Sequence, residues 1–307
     1  MILHQVSTAG TFPAPAALRR DGLSARRGFV LGAANGLAAV PSTPNTVMKP
    51  LDAAALAARV ASLPRFGRTR YLASVDSTNA AALALFDDAS ALGLTIVAEW
   101  QTAGRGRAGR VWTSPRGSGI MMSTIMPDDL PNGVLPALGY WTSLCVAEAI
   151  ARSCNISPTL KWPNDLLIGA SKVCGVLIEG RTSGNLTRAA VGVGINVNRP
   201  ALVPREIAQL AAWLSDSTGR TLDRGDLIAE LLFAYEERYD MLLGLPLEVI
   251  HEWARRSAIA GRRLRVTSAN GEMTHEGIAR GISDDGGLLL QTQDGPVTVR
   301  LGDVAAL

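Results

Sequence analysis

Lysine is almost missing from this chain of 307 residues. Of its 30 basic side chains only Lys49, Lys161 and Lys172 are lysines; the rest are arginines. Histidine is as scarce, at His4, His251 and His275, with one in the N-terminal tail and two late in the chain, which argues against a histidine-built triad or metal cage. The three cysteines, Cys145, Cys154 and Cys174, form no CxxC pair and leave an odd count. That speaks against a disulfide frame or a zinc site and for reduced, buried thiols in a cytoplasmic protein. No apolar run reaches the ~18 residues of a membrane span, so no membrane partner is expected. Net charge is only +3, and the pI near 9.0 reflects arginine content more than a nucleic-acid surface.

What is present reads as a globular protein. Hydrophobic residues make up 47% and charged residues 19%, and the length suits one large domain with a smaller piece. Residues 1–49 differ from the rest. They are rich in Ala, Gly, Pro, Ser and Thr and hold a single acid, Asp21. Arg26-Arg27 before an apolar stretch resembles a twin-arginine export signal, and the acid-poor character also fits a transit peptide. A disordered extension, or a start codon chosen upstream of Met48, is the preferred reading, because nothing else in the chain needs export.

From Leu51 a pattern begins. Leu56, Val60 and Leu63 have helical spacing, ended by Pro64 and Gly67. Strands are predicted at 70–75, 94–100 and 120–126, and an Ala-rich helix carrying Leu83 and Phe86 follows 76–79, any of whose four polar residues can cap it. A helix over 135–153 turns Leu138, Trp141 and Cys145 inward. Strands at 173–179 and 186–197 meet across a tight turn at Gly184-Asn185. Beyond Pro200, Ile207, Leu210, Ala211 and Leu214 mark one helix; Leu227, Leu231, Tyr235 and Leu242 mark a longer one; a third covers 246–256. From Ala260 the period falls to two, with strands near 264–266, 275–280, 288–291 and 297–300, which predicts a small all-β module.

Two stretches carry chemistry. Gly104-Arg-Gly-Arg-Ala-Gly-Arg110 alternates small residues with guanidinium forks, which suits close backbone approach to a phosphate or carboxylate. It matches neither the Gly-Lys-Ser/Thr phosphate loop nor the dinucleotide turn. Trp112 beside it is placed to stack on a ring or to plug the core. Lys161-Trp-Pro-Asn-Asp165 precedes Ser171-Lys172, so two of the three lysines fall within twelve residues. A turn at Pro163-Asn164 is expected to bring Lys161, Asp165 and Lys172 face to face. Gly192, Gly194 and Asn196 alternate along a strand and leave room on one face.

These blocks, with Ser77-Thr78-Asn79, Gly175 and Gly194-Ile-Asn196, resemble biotin protein ligases in order and spacing from about residue 70 to the C-terminus. The resemblance implies an α/β (α+β) fold: a mixed-sheet catalytic domain over 50–257, related to lipoate ligases and class II synthetases, and an SH3-like β barrel over 258–307. Many members begin with a DNA-binding helix-turn-helix, of which 1–49 show no sign, and Ala108 stands where many carry a basic residue.

The implied reaction makes biotinyl-5′-adenylate from biotin and ATP with Mg²⁺, then transfers biotin to one lysine of a biotin carboxyl carrier domain. The enzyme is expected as a monomer or homodimer with no nucleic-acid partner. Carried over by position, Ser77, Thr78, Asn79, Gln101, Arg105, Gly106, Arg107, Lys172 and Gly175 bind biotin. Arg110, Trp112, Lys161 and Asn196 serve the nucleotide, and Lys172, Arg107 and Asp165 are catalytic. Asp165 has three open roles: orienting Lys161, binding metal, or deprotonating the acceptor amine. A lipoate–protein ligase is the alternative enzyme. A nucleic-acid module is opposed by Glu272, Glu276, Asp284, Asp285 and Asp294 in the terminal β region.

Overall fold

Asp52 opens the first helix: its Oδ1 accepts from the Ala55 N–H at 3.0 Å and caps α1 (Ala53–Val60), whose Leu56 and Val60 are buried. The computed structural model describes residues 48–307 other than 204, 209, 258 and 269–272; the expectations for the first 47 residues lie outside that range. In chain order there follow β1 (Arg68–Leu72), α2 (Thr78–Leu83), β2 (Leu94–Ala98), β3 (Gly119–Ile125), β4 (Leu130–Pro131) and α3 (Leu135–Cys154). Next come β5 (Thr159–Lys161), β6 (Asp165–Ile168), β7 (Ser171–Ser183) and β8 (Leu186–Asn196). Four helices, α4 (Arg205–Ala208), α5 (Leu214–Thr218), α6 (Arg224–Gly244) and α7 (Pro246–Ser257), precede β9 (Arg263–Thr267), β10 (Thr274–Ile282), β11 (Leu288–Thr292), β12 (Gly295–Val299) and β13 (Asp303–Ala306).

The large sheet runs β1-β2-β3-β8-β7-β6-β5, with β4 added beside β8. Among the described strands of this sheet β1 and β2 pair in parallel, joined through α2, and the others pair antiparallel. Alternation along the strands sorts side chains to two faces. Val97, Ile120, Met122, Val191, Val193 and Ile195 enter the main core with α3 and α6, whereas Ile96, Ile125 and Ala190 join a smaller core with Ala82 and Phe86. The β7–β8 hairpin turns where predicted: Ser183 pairs with Leu186, and Gly184 takes φ +58°, a conformation glycine adopts without steric cost.

Two readings need correction. The single helix expected through Ile207 and Leu214 is broken into α4 and α5, because residues 210–212 instead run beside Lys172 as a β bridge. The terminal module has a fifth strand, β13, and runs β12-β11-β10-β9-β13. Among the described residues all its pairings are antiparallel, with β12 and β13 at the ends of the order. Its Leu264, Val266, Ala279, Ile282, Leu288 and Leu290 continue the main core. Gly286 O accepts from both Tyr140 OH (2.6 Å) and Trp162 Nε1 (3.3 Å), fastening the β10–β11 loop to the segment after β5. No helix among the described residues is long and apolar enough to cross a membrane.

Candidate active site

The cleft, of about 490 Å³, opens over the sheet face that carries the smallest side chains. Gly175 of β7 and Gly192, Gly194 and Asn196 of β8 line it. The glycines are needed because neighbouring side chains already occupy the space above them. A Cβ on Gly192 would stand 2.2 Å from Asn79 Oδ1, and one on Gly194 would stand 2.5 Å from the Trp112 ring.

One end of the cleft is polar and uncharged. Ser77 caps α2, accepting from Ala80 N–H, and so presents Thr78 and Asn79 in the first turn; all three are buried. Thr78 N–H donates to Gln101 Oε1 at 2.7 Å, and the Ser123 hydroxyl of β3 reaches both Thr78 Oγ1 (2.8 Å) and Asn79 Oδ1. Asn79 Nδ2 donates to Glu179 Oε2 at 2.7 Å and to Leu177 O at 3.3 Å. A ligand group with both donors and acceptors can be held here without leaving buried polar atoms unpaired.

The other end is cationic. The arginine loop closes on itself: Gly106 N–H donates to Arg110 O at 2.7 Å, Trp112 N–H donates to Gly104 O at 3.0 Å, and Arg105 bridges Val111. Arg107 is half-buried and donates from Nη1 to Asn164 Oδ1 at 3.0 Å; burial lowers its pKa from the ordinary arginine value. Arg105 pairs with Glu179 (3.2 Å) and Arg110 with Asp303 of β13 (2.9 Å). Lys172 Nζ lies 2.6 Å from Asp165 Oδ1 and 5.7 Å from the Trp112 ring centre. Its backbone is clasped on both sides, N–H to Leu210 O and O from Ala212 N–H, each at 2.8 Å. Trp112 Nε1 is buried and has no hydrogen-bond partner among the described residues.

The structure brings together Ser77, Thr78, Asn79, Gln101, Arg105, Gly106, Arg107, Arg110, Trp112, Asp165, Lys172, Gly175 and Asn196 in one cleft. Lys161 is not among the residues lining it. It sits on β5, the outermost strand, one strand farther from β8 than Asp165, with which it pairs in register. Asp165 forms its ion pair with Lys172. Sequence reading missed Ser123, Asn164 and Glu179, and the placing of Ile207, Leu210 and Ala211 at the cleft. Glu179 had one signal: it is the charged residue that ends the apolar run 173–179.

Comparison with known proteins places the chain as follows. Residues 71–196 match the Biotin/lipoate A/B protein ligase family, and residues 259–305 match the Biotin protein ligase C terminal domain. A bifunctional ligase/repressor BirA of Bacillus spizizenii is 36% identical over 76% of this chain and 72% of its own length. A biotin–[acetyl-CoA-carboxylase] ligase of Mycobacterium tuberculosis is 32% identical over 77% of this chain and 88% of its own. Among solved structures, the biotin protein ligase of Aquifex aeolicus in complex with biotin and ATP superposes with a TM-score of 0.64 at 30% identity, covering 78% of this chain and 97% of that one.

Proposed function

The chain belongs to the biotin protein ligase family, and from that premise we propose that this cleft activates biotin with ATP and passes it to a lysine of a biotin carboxyl carrier domain. A biotin carboxylate oxygen attacks the α-phosphorus, and the bond to pyrophosphate breaks. The acceptor ε-amine then attacks the carbonyl of the mixed anhydride and releases AMP. The alternative acid, lipoate, is not favoured, since the C-terminal domain model, the Mycobacterium tuberculosis relative and the Aquifex aeolicus structure are named for biotin.

The observation that carries this reading is the division of one cleft into a neutral hydrogen-bonding end and a cationic end. Ser77, Thr78, Asn79 and Gln101 hold the ureido ring, whose donors and acceptors must be paired when buried. Joining a carboxylate to a phosphate brings two anions together, so fixed cations lower the barrier. Lys172 and Arg107 supply them at the junction, with Arg105 and Gly106 over the biotin side. Gly175 gives Lys172 its space, for a Cβ there would stand 3.0 Å from Nζ. Arg110, Trp112 and Asn196 face the nucleotide, and Lys161 serves it only if the phosphates extend past β6.

Among the described residues no group of three His, Cys, Asp or Glu side chains could hold a metal, and Asp165 is the one carboxylate lining the cleft. That donor set fits Mg²⁺ carried in by the nucleotide phosphates, an ion that takes one or two protein carboxylates beside phosphate oxygens. The ion would neutralise phosphate charge; Asp165 would be its protein ligand or, through Lys172, a positioning group. We also divide the chain at residue 257/258 into a catalytic domain and a C-terminal module, docked through Gly286.

Biotin-dependent exchange of pyrophosphate into ATP tests the reading, followed by the mass shift of a carrier domain. Exchange driven by biotin and not by lipoate is expected. Exchange with lipoate alone would overturn it.

A further inference from the structure

We propose that Glu179 is a positioning residue that sets the biotin pocket and the arginine loop together, an inference that rests on the reading of the cleft just given. Glu179 is on β7 beyond the cleft wall and does not line it. Its Oε2 nevertheless takes two hydrogen bonds from the residues that do: Asn79 Nδ2 at 2.7 Å and Arg105 Nη2 at 3.2 Å. One carboxylate thus ties the first turn of α2 to the start of the Gly-Arg loop, 26 positions later in the chain.

The consequence for Asn79 is a fixed amide. Both Nδ2 protons are engaged, by Glu179 and by Leu177 O, and Oδ1 rests over Gly192 while accepting from Ser123. Reversing the amide would set its oxygen against a carboxylate and a carbonyl, two acceptors. The Ser123 hydroxyl has one proton, and Asn79 Oδ1, having none, must receive it. The Thr78 hydroxyl in turn donates to Gln101 Oε1 at 3.1 Å, and its oxygen lies 2.8 Å from the Ser123 hydroxyl. With its proton engaged by Gln101, the Thr78 oxygen has only lone pairs to offer a ligand. Glu179 thus fixes the Asn79 amide and, through it, the Ser123 hydroxyl behind Thr78, in a wall that offers acceptors to a ligand N–H, which a cyclic urea has and a dithiolane lacks.

The consequence for the loop is an anchor. Arg105 is exposed, and three arginines of like charge within six residues repel one another. Glu179 offsets part of that repulsion before any anion binds.

The test uses the full chain, Glu179→Gln against wild type, with three readouts: tryptic cleavage within 105–110 without ligand, biotin Kd by calorimetry, and biotin-saturated pyrophosphate exchange. Losing one charged hydrogen bond should weaken biotin binding about tenfold. Loop cleavage should quicken severalfold, while kcat stays within about twofold, since Glu179 touches no reacting atom. A Glu179→Gln protein whose biotin Kd and cleavage rate both stay within about twofold of wild type overturns the proposal, because a lost charged hydrogen bond exceeds that. If wild type binds no biotin, the proposed function fails instead, and the ligand-free cleavage rates still decide the anchor. If Glu179→Gln does not fold, Arg105→Gln opens the same pair from the loop side and leaves Arg107 and Arg110 for trypsin; a loop cut no faster than wild type then overturns it.

Discussion

Lys172 Nζ stands 2.6 Å from Asp165 Oδ1, and the two residues sit on neighbouring antiparallel strands, β7 and β6, on either side of Gly175. Asp165 pairs in register with Gly175 itself, so the absent side chain is what lets ammonium and carboxylate meet above the sheet. The pair is partly exposed, at 37% and 22%, and so remains open to exchange with an incoming anion.

Lys172→Met should therefore cost little stability, under about 0.5 kcal/mol, as for a surface site. In biotin-dependent pyrophosphate exchange the loss should be ~2–4 kcal/mol of barrier, the range for one oxyanion donor. That is a rate loss of roughly thirty- to a thousandfold. Lys172→Arg should rescue poorly, because a planar fork does not fit between Gly175 and the Trp112 ring as an ammonium does. Near-normal exchange in folded Lys172→Met would remove this side chain from the mechanism.

Gly194→Ala should act on Trp112. The backbone there needs no glycine conformation, so the effect comes from the 2.5 Å approach of a new Cβ to the indole. Displacing a packed ring costs about 1–3 kcal/mol. The expected outcome is a raised KM for ATP, with an indole fluorescence change at constant fold. An unchanged KM together with an unchanged spectrum would place Trp112 outside the nucleotide site.

Arg224, the first residue of α6, is 6% exposed and makes a buried pair with Glu99 (8%) at 2.8 Å. It also donates to Gly119 O and Lys49 O, while Glu99 accepts from Leu51 N–H and Tyr71 OH. Chain entry, β1, β2, β3 and α6 thus meet at one ion pair. Arg224→Met should destabilise by about 3–5 kcal/mol, because it leaves Glu99 buried without its partner. The double variant with Glu99→Leu should recover much of that loss in urea unfolding. Equal midpoints for the single and double variants would show that the packing, not the charge, is what matters.

Long apolar periods were legible from sequence. Helices α3, α6 and α7, strands β2, β3, β7 and β8, and the Gly184-Asn185 turn all lie within a few residues of their predicted places, because burial on one face leaves a local signature. Most of the site was legible too, through motif order, since Ser77–Asn79, the Gly-Arg loop and Lys172 converge on one cleft. What was not legible depends on pairing across the chain. Residues 210–212 have helical spacing, yet Leu210 O and Ala212 N–H bond to the backbone of Lys172 instead of continuing a helix. Strand β13 is four residues long and exists through its register with β9. Lys161 belongs to the right motif but to the outer strand. Glu179 and Ser123 acquire their roles only when β7 and β3 are set opposite α2.

The last prediction concerns acid. Asp285 sits in the β10–β11 loop one residue before Gly286, whose carbonyl receives Tyr140 and Trp162. Hydrogen bonding from Ser283 first, then Arg300 and the Gly287 N–H, holds its carboxyl below the ordinary value of 3.8. A carboxyl depressed in the folded state adds stability that is complete above its unfolded pKa and is lost as pH falls through the folded one. The loop should therefore be insensitive to pH at neutrality and should loosen below about pH 3.8, with Trp162 reporting the release of its indole N–H in near-ultraviolet circular dichroism. Asp285→Asn should lose the acid-dependent part, showing at pH 7 the looser loop that wild type shows only in acid. Asp285 is half exposed, so solvent screens the effect and a shift of a few degrees in melting temperature is the most to expect. Identical acid transitions in wild type and Asp285→Asn would show that other carboxylates, such as Asp129 beside Arg188, govern the transition instead.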